Sequence, residues 1–196
     1  MESTGGPGAP TSAPSSTVLC MRLVAFPRGI NVGGRVVPMA RLRELLEGAG
    51  FTSVHTVLAS GNVAFDADEA RTADDVATVR ERVERLMSAE FDYTAIVQVY
   101  TAEALERCLN AVPWDGPPAD VHLYLVLVDD AEVRAELLAA ELDPGVEAVV
   151  PAELGVFWRV PKGQTLGSDF AAVINSSRVK RHVTTRKLDT LRKLLA

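Results

Sequence analysis

The chain has 196 residues, 47% hydrophobic and 23% charged, which is the composition of a globular protein of one large domain or two small ones. No apolar run reaches the roughly 20 residues that a membrane-spanning helix needs, and two cysteines, Cys20 and Cys108, are too few for a disulfide framework or a zinc site. The formal charge of −6 conceals an asymmetry: residues from Arg178 onward carry seven lysines and arginines against one acid, Asp189, on an otherwise acidic chain.

Residues 1–18 consist of Pro, Gly, Ser, Thr and Ala with few apolar side chains, and are expected to form a disordered tail. They lack the basic start and apolar centre of a secretory signal. Met21 opens the first strand directly, so it is a second candidate for the translational start. Cysteine usage fits a reducing, cytoplasmic setting, with Cys108 buried on a helix.

Met21–Phe26 reads as a buried strand. The glycine-rich loop RGINVGGR, Arg28 to Arg35, follows it. Pro38 opens a helix where its missing N–H costs nothing, with an apolar stripe of Met39, Leu42, Leu45, Leu46 and Ala49, and Gly50 ends it. Val54–Leu58 and Asn62–Phe65 form a hairpin about Ala59-Ser60-Gly61. Thr72 caps a helix with Asp74 and Asp75 in its first turn. A strand over Tyr93–Tyr100 completes a β-α-β-β-α-β order, the ferredoxin-like arrangement. Thr101 then caps a helix through Leu105 and Leu109.

Pro113-Trp114-Asp115-Gly116-Pro117-Pro118 breaks the chain, and the order begins again. Val121–Val128 is a strand, Ala131–Leu142 a helix, and Val146–Val150 and Val156–Val160 a hairpin. Ser168 caps a short helix, an extended piece lies near Arg181–Val183, and Thr184 or Thr185 caps a last helix bearing Leu188, Leu191, Leu194 and Leu195. The expected fold is therefore α+β: two ferredoxin-like β-α-β-β-α-β subdomains, a structural duplication, plus a C-terminal helix. The expected boundaries are a tail over 1–18, a first subdomain over 19–112 and a second over 113–196.

FPRGINVGG, PMARLRELLEGAGF, LASGNVAF and TTRKLDTLRKLL together resemble the DUF1697 family of uncharacterised bacterial proteins. The resemblance implies paired α+β, ferredoxin-like subdomains from about Met21 to Ala196, and implies no particular reaction. This chain departs from the family pattern at Pro27, in a shorter loop before Pro38, at Ala59, and at Lys187-Leu188 after the TTR block. Each departure weakens any inherited ligand role for its neighbours.

The crossover helix makes the first two strands parallel, so RGINVGGR and the Ser60 hairpin are expected at the same end of one sheet. Gly29, Gly34 and Arg35 stand near a phosphate-binding P-loop pattern, but Val36 replaces the hydroxyl residue that would bind magnesium. Two readings of the loop remain. Gly29, Gly33 and Gly34 supply positive φ for a tight turn with Asn31 bonded to its own loop, or the loop's N–H groups and Arg28 and Arg35 hold an anion. Ser60 and Asn62 are turn residues or part of the same polar site. Thr184, Thr185 and Arg186 cap a helix or hold an anion at its start.

His55, His122 and His182 lack metal-ligand spacing. Asp129-Asp130 marks a strand end and a helix cap, and no nucleophile or general base is identifiable. Three functions follow, in this order: binding of a small phosphate-bearing or other anionic ligand at the glycine loop; binding of nucleic acid through the basic C-terminal stretch; and a structural or partner-binding role. Neither a cofactor class nor an oligomeric state is implied, and no membrane segment is expected. The nucleic-acid reading is weakened by the acidic body and by a chain with 11 aromatic residues and no evident stacking platform.

Overall fold

The computed structural model describes residues 20–31, 36–57, 61–114 and 119–196. Val32–Arg35, Leu58–Ser60, Asp115–Pro118 and the first 19 residues lie outside it, so the expectations for the tail, Gly33, Gly34, Arg35 and Ser60 also lie outside the described residues.

The chain is α+β, with two four-stranded antiparallel sheets. The first half runs β1 (Met21–Pro27), α1 (Met39–Gly48), β2 (Thr52–Val57), β3 (Asn62–Ala67), α2 (Ala73–Phe91), β4 (Val97–Thr101) and α3 (Ala102–Asn110). The second repeats the order with β5 (Val121–Val128), α4 (Ala131–Leu138), β6 (Ala148–Ala152), β7 (Gly155–Pro161), α5 (Asp169–Ile174), a 3-10 turn over Val179–Arg181, β8 (Val183–Lys187) and α6 (Leu188–Leu195). Sheet orders are β2-β3-β1-β4 and β6-β7-β5-β8. The appended helix therefore occurs twice, as α3 and as α6.

The central strands β1 and β5 are apolar without alternation because both of their faces are covered. On one face of the first sheet, Leu23, Ala25 and Phe65 pack beneath Leu42 and Leu46 of α1 and Val79, Val83 and Met87 of α2. Tyr124, Val126 and Trp158 pack likewise beneath α4 and α5. Between the sheets lies a third cluster, in which Val24 and Phe26 of β1 and Leu125 and Leu127 of β5 meet Leu105 and Cys108 of α3 and Leu188, Leu191 and Leu194 of α6. The two halves thus share one apolar layer built from their appended helices.

Capping chemistry fixes several boundaries. Thr72 accepts from the Asp75 N–H while the Asp75 carboxylate accepts from the Thr72 N–H, a reciprocal box that starts α2. Asp130 accepts from the Val133 N–H and starts α4, as expected. Hydrogen bonds from the Arg71 and Thr72 N–H groups hold the Asp75 carboxyl below its ordinary range.

Several element expectations need correction, and the strand expected over Tyr93–Tyr100 spans Val97–Thr101. α4 ends at Leu138, four residues short of the expected Leu142. Pro144 disfavours helical geometry in the residue before it, and Leu142 instead packs against the second sheet's outer cluster. The strand expected over Val146–Val150 spans Ala148–Ala152. It is an edge strand, where Pro151 is tolerated. Glu147, just before it, is a buried carboxylate that accepts from the Trp158 indole N–H at 2.9 Å and the Phe170 N–H at 3.0 Å.

Thr184 and Thr185 do not cap the last helix. They lie within β8, opposite Leu127 and Val126 of β5, and α6 starts at Leu188, its N-cap residue Lys187 making no side-chain cap. Their β-branched side chains suit a pleated strand as well as a cap. The extended piece expected near Arg181–Val183 begins only at Val183, as β8, and follows a 3-10 turn over Val179–Arg181.

Candidate functional site

Where the two halves meet, β8 brings the TTR block alongside the end of β1. Pro27, Arg28, Gly29 and Ile30 form one wall of a cleft of about 330 Å³, and Thr184, Thr185 and Arg186 form another, with Lys180 and Ile174 at its border. Sequence blocks some 150 residues apart thus converge on one cavity.

Arg28 and Gly29 follow the last residue of β1. Gly29 has φ +65°, a conformation natural to glycine. Both terminal nitrogens of Arg28 donate to the second half, Nη1 to the Arg181 carbonyl and Nη2 to the Lys180 carbonyl. Those carbonyls close the 3-10 turn, where a guanidinium complements exposed C=O groups. Burial lowers the Arg28 pKa, partly offset by the charge of Asp129.

Arg186 reaches the other way, from β8 into the first half. Its Nε donates to Asn62 Oδ1 at 2.6 Å, Nη2 to the Pro27 carbonyl at 3.3 Å, and Nη1 to the Thr185 carbonyl at 2.9 Å. Its guanidinium also lies 5.7 Å from the centre of the Phe26 ring. Burial, then the like charge of Arg28, pushes its pKa down to about 10, so it remains cationic at neutral pH. Among the described residues, no carboxylate lies within ion-pairing distance of Arg28, Lys180 or Arg186. The nearby Asp129 is engaged with His182 Nδ1 at 3.0 Å.

The other expected site residues divide. Asn31 holds its own loop: Oδ1 accepts from the Val37 N–H at 2.8 Å, and Nδ2 donates to the Val37 carbonyl at 3.3 Å. Its φ of +55° fits the turn reading of that residue. Asn62 is fully buried behind Arg186, with Nδ2 donating to the Val57 carbonyl at 2.9 Å. The loop and hairpin are neighbours as expected, for a Cβ on Gly61 would meet the tip of Ile30.

Lys180 and Gln98 belong to this junction and carried no individual signal. Lys180 was visible only as part of a basic stretch. Gln98 is a buried amide whose Nε2 donates to the His182 carbonyl at 3.1 Å. Three successive carbonyls of the second half, from Lys180 to His182, are thereby bound by side chains of the first. Among the described residues, no group of three or more His, Cys, Asp or Glu side chains could hold a metal ion, and no helix is long and apolar enough to cross a membrane. Chemically, the cleft offers cationic donors, two hydroxyls and an aliphatic border, a set suited to an anion.

The conserved bacterial protein SP0830 from Streptococcus pneumoniae has a similar structure, with a TM-score of 0.75 and 24% identity, covering 90% of this chain and 99% of that one. At that identity the likeness establishes a common fold. No functionally curated protein shows significant sequence similarity to the chain. The model of the DUF1697 family, described as proteins of unknown function, matches residues 21–153, about two thirds of the sequence, and the chain belongs to that family.

Proposed function

We propose that the cleft between the two halves binds a small phosphate-bearing or other anionic ligand. The carrying observation is that Arg28, Lys180 and Arg186 converge there with no carboxylate in ion-pairing distance among the described residues. Desolvated like charges repel, and a bound anion would relieve that cost. The hydroxyls of Thr184 and Thr185 supply further donors. Two anchor points, Arg28 and Arg186, are already oriented by backbone carbonyls, so little side-chain entropy remains to be lost on binding.

The scaffold in this reading is a pair of ferredoxin-like subdomains divided near residues 112 and 113. Its support is the strand order β2-β3-β1-β4, repeated as β6-β7-β5-β8, with each neighbouring pair antiparallel. The basic C-terminal stretch favours this cleft over an extended nucleic-acid surface. Arg178 contacts Glu132 and Glu136, Arg192 contacts Asp189, and Arg186 points inward. The free thiols of Cys20 and Cys108 fit a cytoplasmic setting.

Thermal unfolding in inorganic phosphate, at constant ionic strength set with sodium chloride, tests the reading. At a hundred times Kd, one bound ligand adds about 2.7 kcal/mol, a rise in Tm of roughly 5–10 °C for a chain of this size. Lys180→Ala removes an exposed cation that borders the cleft, and is expected to weaken the phosphate response while leaving the ligand-free Tm nearly unchanged. Equal Tm values in phosphate, pyrophosphate, sulfate and the chloride control would overturn the proposal.

A further inference from the structure

A second basic cleft lies at the other end of β8, and no residue lining it lines the first. It occupies about 200 Å³ between the start of β5, the turn after β7 and the junction of β8 with α6. Lys187, the last residue of β8, pairs with Tyr124 of β5. That register sets its Nζ 3.5 Å from Nε2 of His122, two residues earlier on β5. Lys162 follows β7, and its Nζ donates to the Ala119 carbonyl at 2.5 Å. Arg192 of α6 completes the group and pairs with Asp189 at 3.5 Å.

Three permanent cations and an imidazole therefore face one small concavity, against a single carboxylate already engaged by Arg192. Among the described residues, neither Lys162 nor Lys187 has an acid within ion-pairing distance. A lysine on an open surface can swing its ammonium into bulk water, away from like charges. Here the strand register directs Lys187 toward His122 and a backbone carbonyl holds Lys162 beside them. The imidazole records the resulting field. Burial, then Lys187, then Lys162 lower its pKa, and Asp189 opposes them.

We propose that the cleft formed by His122, Lys162, Lys187 and Arg192 is a second anion site that takes a phosphate group, either as the free ion or as a phosphomonoester. A phosphate near neutral pH carries a charge of about −1.5 to −2 and three acceptor oxygens, which matches two ammonium groups with no carboxylate partner among the described residues and a protonated imidazole donor. Occupation offsets the local positive charge, so His122 protonates more readily. By linkage, the bound anion is held more tightly when His122 is charged.

The proposal stands independently of the first cleft and is tested on the His122 ring itself. Its proton resonances are followed against pH by NMR, at fixed ionic strength, with no phosphate, with inorganic phosphate, and with glycerol 3-phosphate. The exposed His55 of β2 serves as the internal control. Phosphate is expected to move the His122 midpoint upward by about half a pH unit or more while leaving His55 in place. A response to inorganic phosphate alone identifies the free ion as the ligand, and a response to both compounds identifies the phosphomonoester group.

In Lys162→Ala/Lys187→Ala, two exposed side chains are removed. The ligand-free midpoint of His122 is expected to rise and the phosphate-dependent shift to vanish, with dispersed ring signals reporting an intact fold. Lys180→Ala is expected to leave the shift unchanged, which separates this site from the first. An unmoved midpoint in phosphate, or a shift that survives the double lysine substitution, overturns the proposal.

Discussion

Arg186 Nε donates to Asn62 Oδ1 at 2.6 Å, joining residues 124 positions apart and tying β8 of one half to the start of β3 in the other. A charge-assisted hydrogen bond of this kind is worth about 1.5–3 kcal/mol. Arg186→Met and Asn62→Ala are each expected to destabilise by roughly that amount, and the double substitution by less than the sum. A coupling energy of about 0.5–3 kcal/mol from chemical denaturation would report the contact. Strictly additive effects would show that the two residues act independently.

The two turn glycines β3 and β7 rely on should respond differently to alanine. A Cβ on Gly155, at φ +151°, would lie 2.1 Å from the Val126 carbonyl oxygen, a backbone atom fixed by the pairing of β5 with β7. On Gly61, at φ +77°, it would meet Ile30 Cδ1 at the same distance, but that is the end of a flexible side chain. Backbone strain alone costs about 1–3 kcal/mol at such positions. Gly155→Ala is expected to lose more stability than Gly61→Ala, while Gly61→Ala displaces Ile30 from the wall of the first cleft. Equal or reversed losses in urea denaturation would contradict this account.

Leu191 is fully buried in the layer between the sheets. Leu191→Ala is expected to cost about 2–5 kcal/mol through lost burial and a residual cavity. Because the cluster includes β1 and β5 alike, amide exchange should accelerate in both strands. Acceleration confined to β5 would mean that the halves have separate cores.

The sequence resolved most elements because their signals are local. The uninterrupted apolar runs of Leu23–Phe26 and Leu123–Leu127 announce strands covered on both sides, and Thr72, Thr101, Asp130 and Ser168 announce helix starts. Thr184 and Thr185 misled because a β-branched hydroxyl residue suits a cap and a strand equally, and only the pairing with β5 decides between them. The role of Arg28 was beyond reach for a different reason. Its partners are the main-chain carbonyls of Lys180 and Arg181, and a carbonyl has no residue type to read. The same holds for Gln98 and His182. The convergence of RGI and TTR became visible only through the register that lays β8 beside β5.

The placement of α6 has a consequence for biosynthesis. Its leucines cover the inner face of the first sheet, yet it follows every other described element along the chain. During translation, Val24, Phe26 and Ala64 leave the ribosome long before Leu188, Leu191 and Leu194 exist to cover them. The nascent first half therefore passes through a stage in which α3 alone covers that face, leaving the part under α6 open to chaperones or to self-association. Polypeptides released anywhere between α3 and Leu188 would keep that part of the face uncovered.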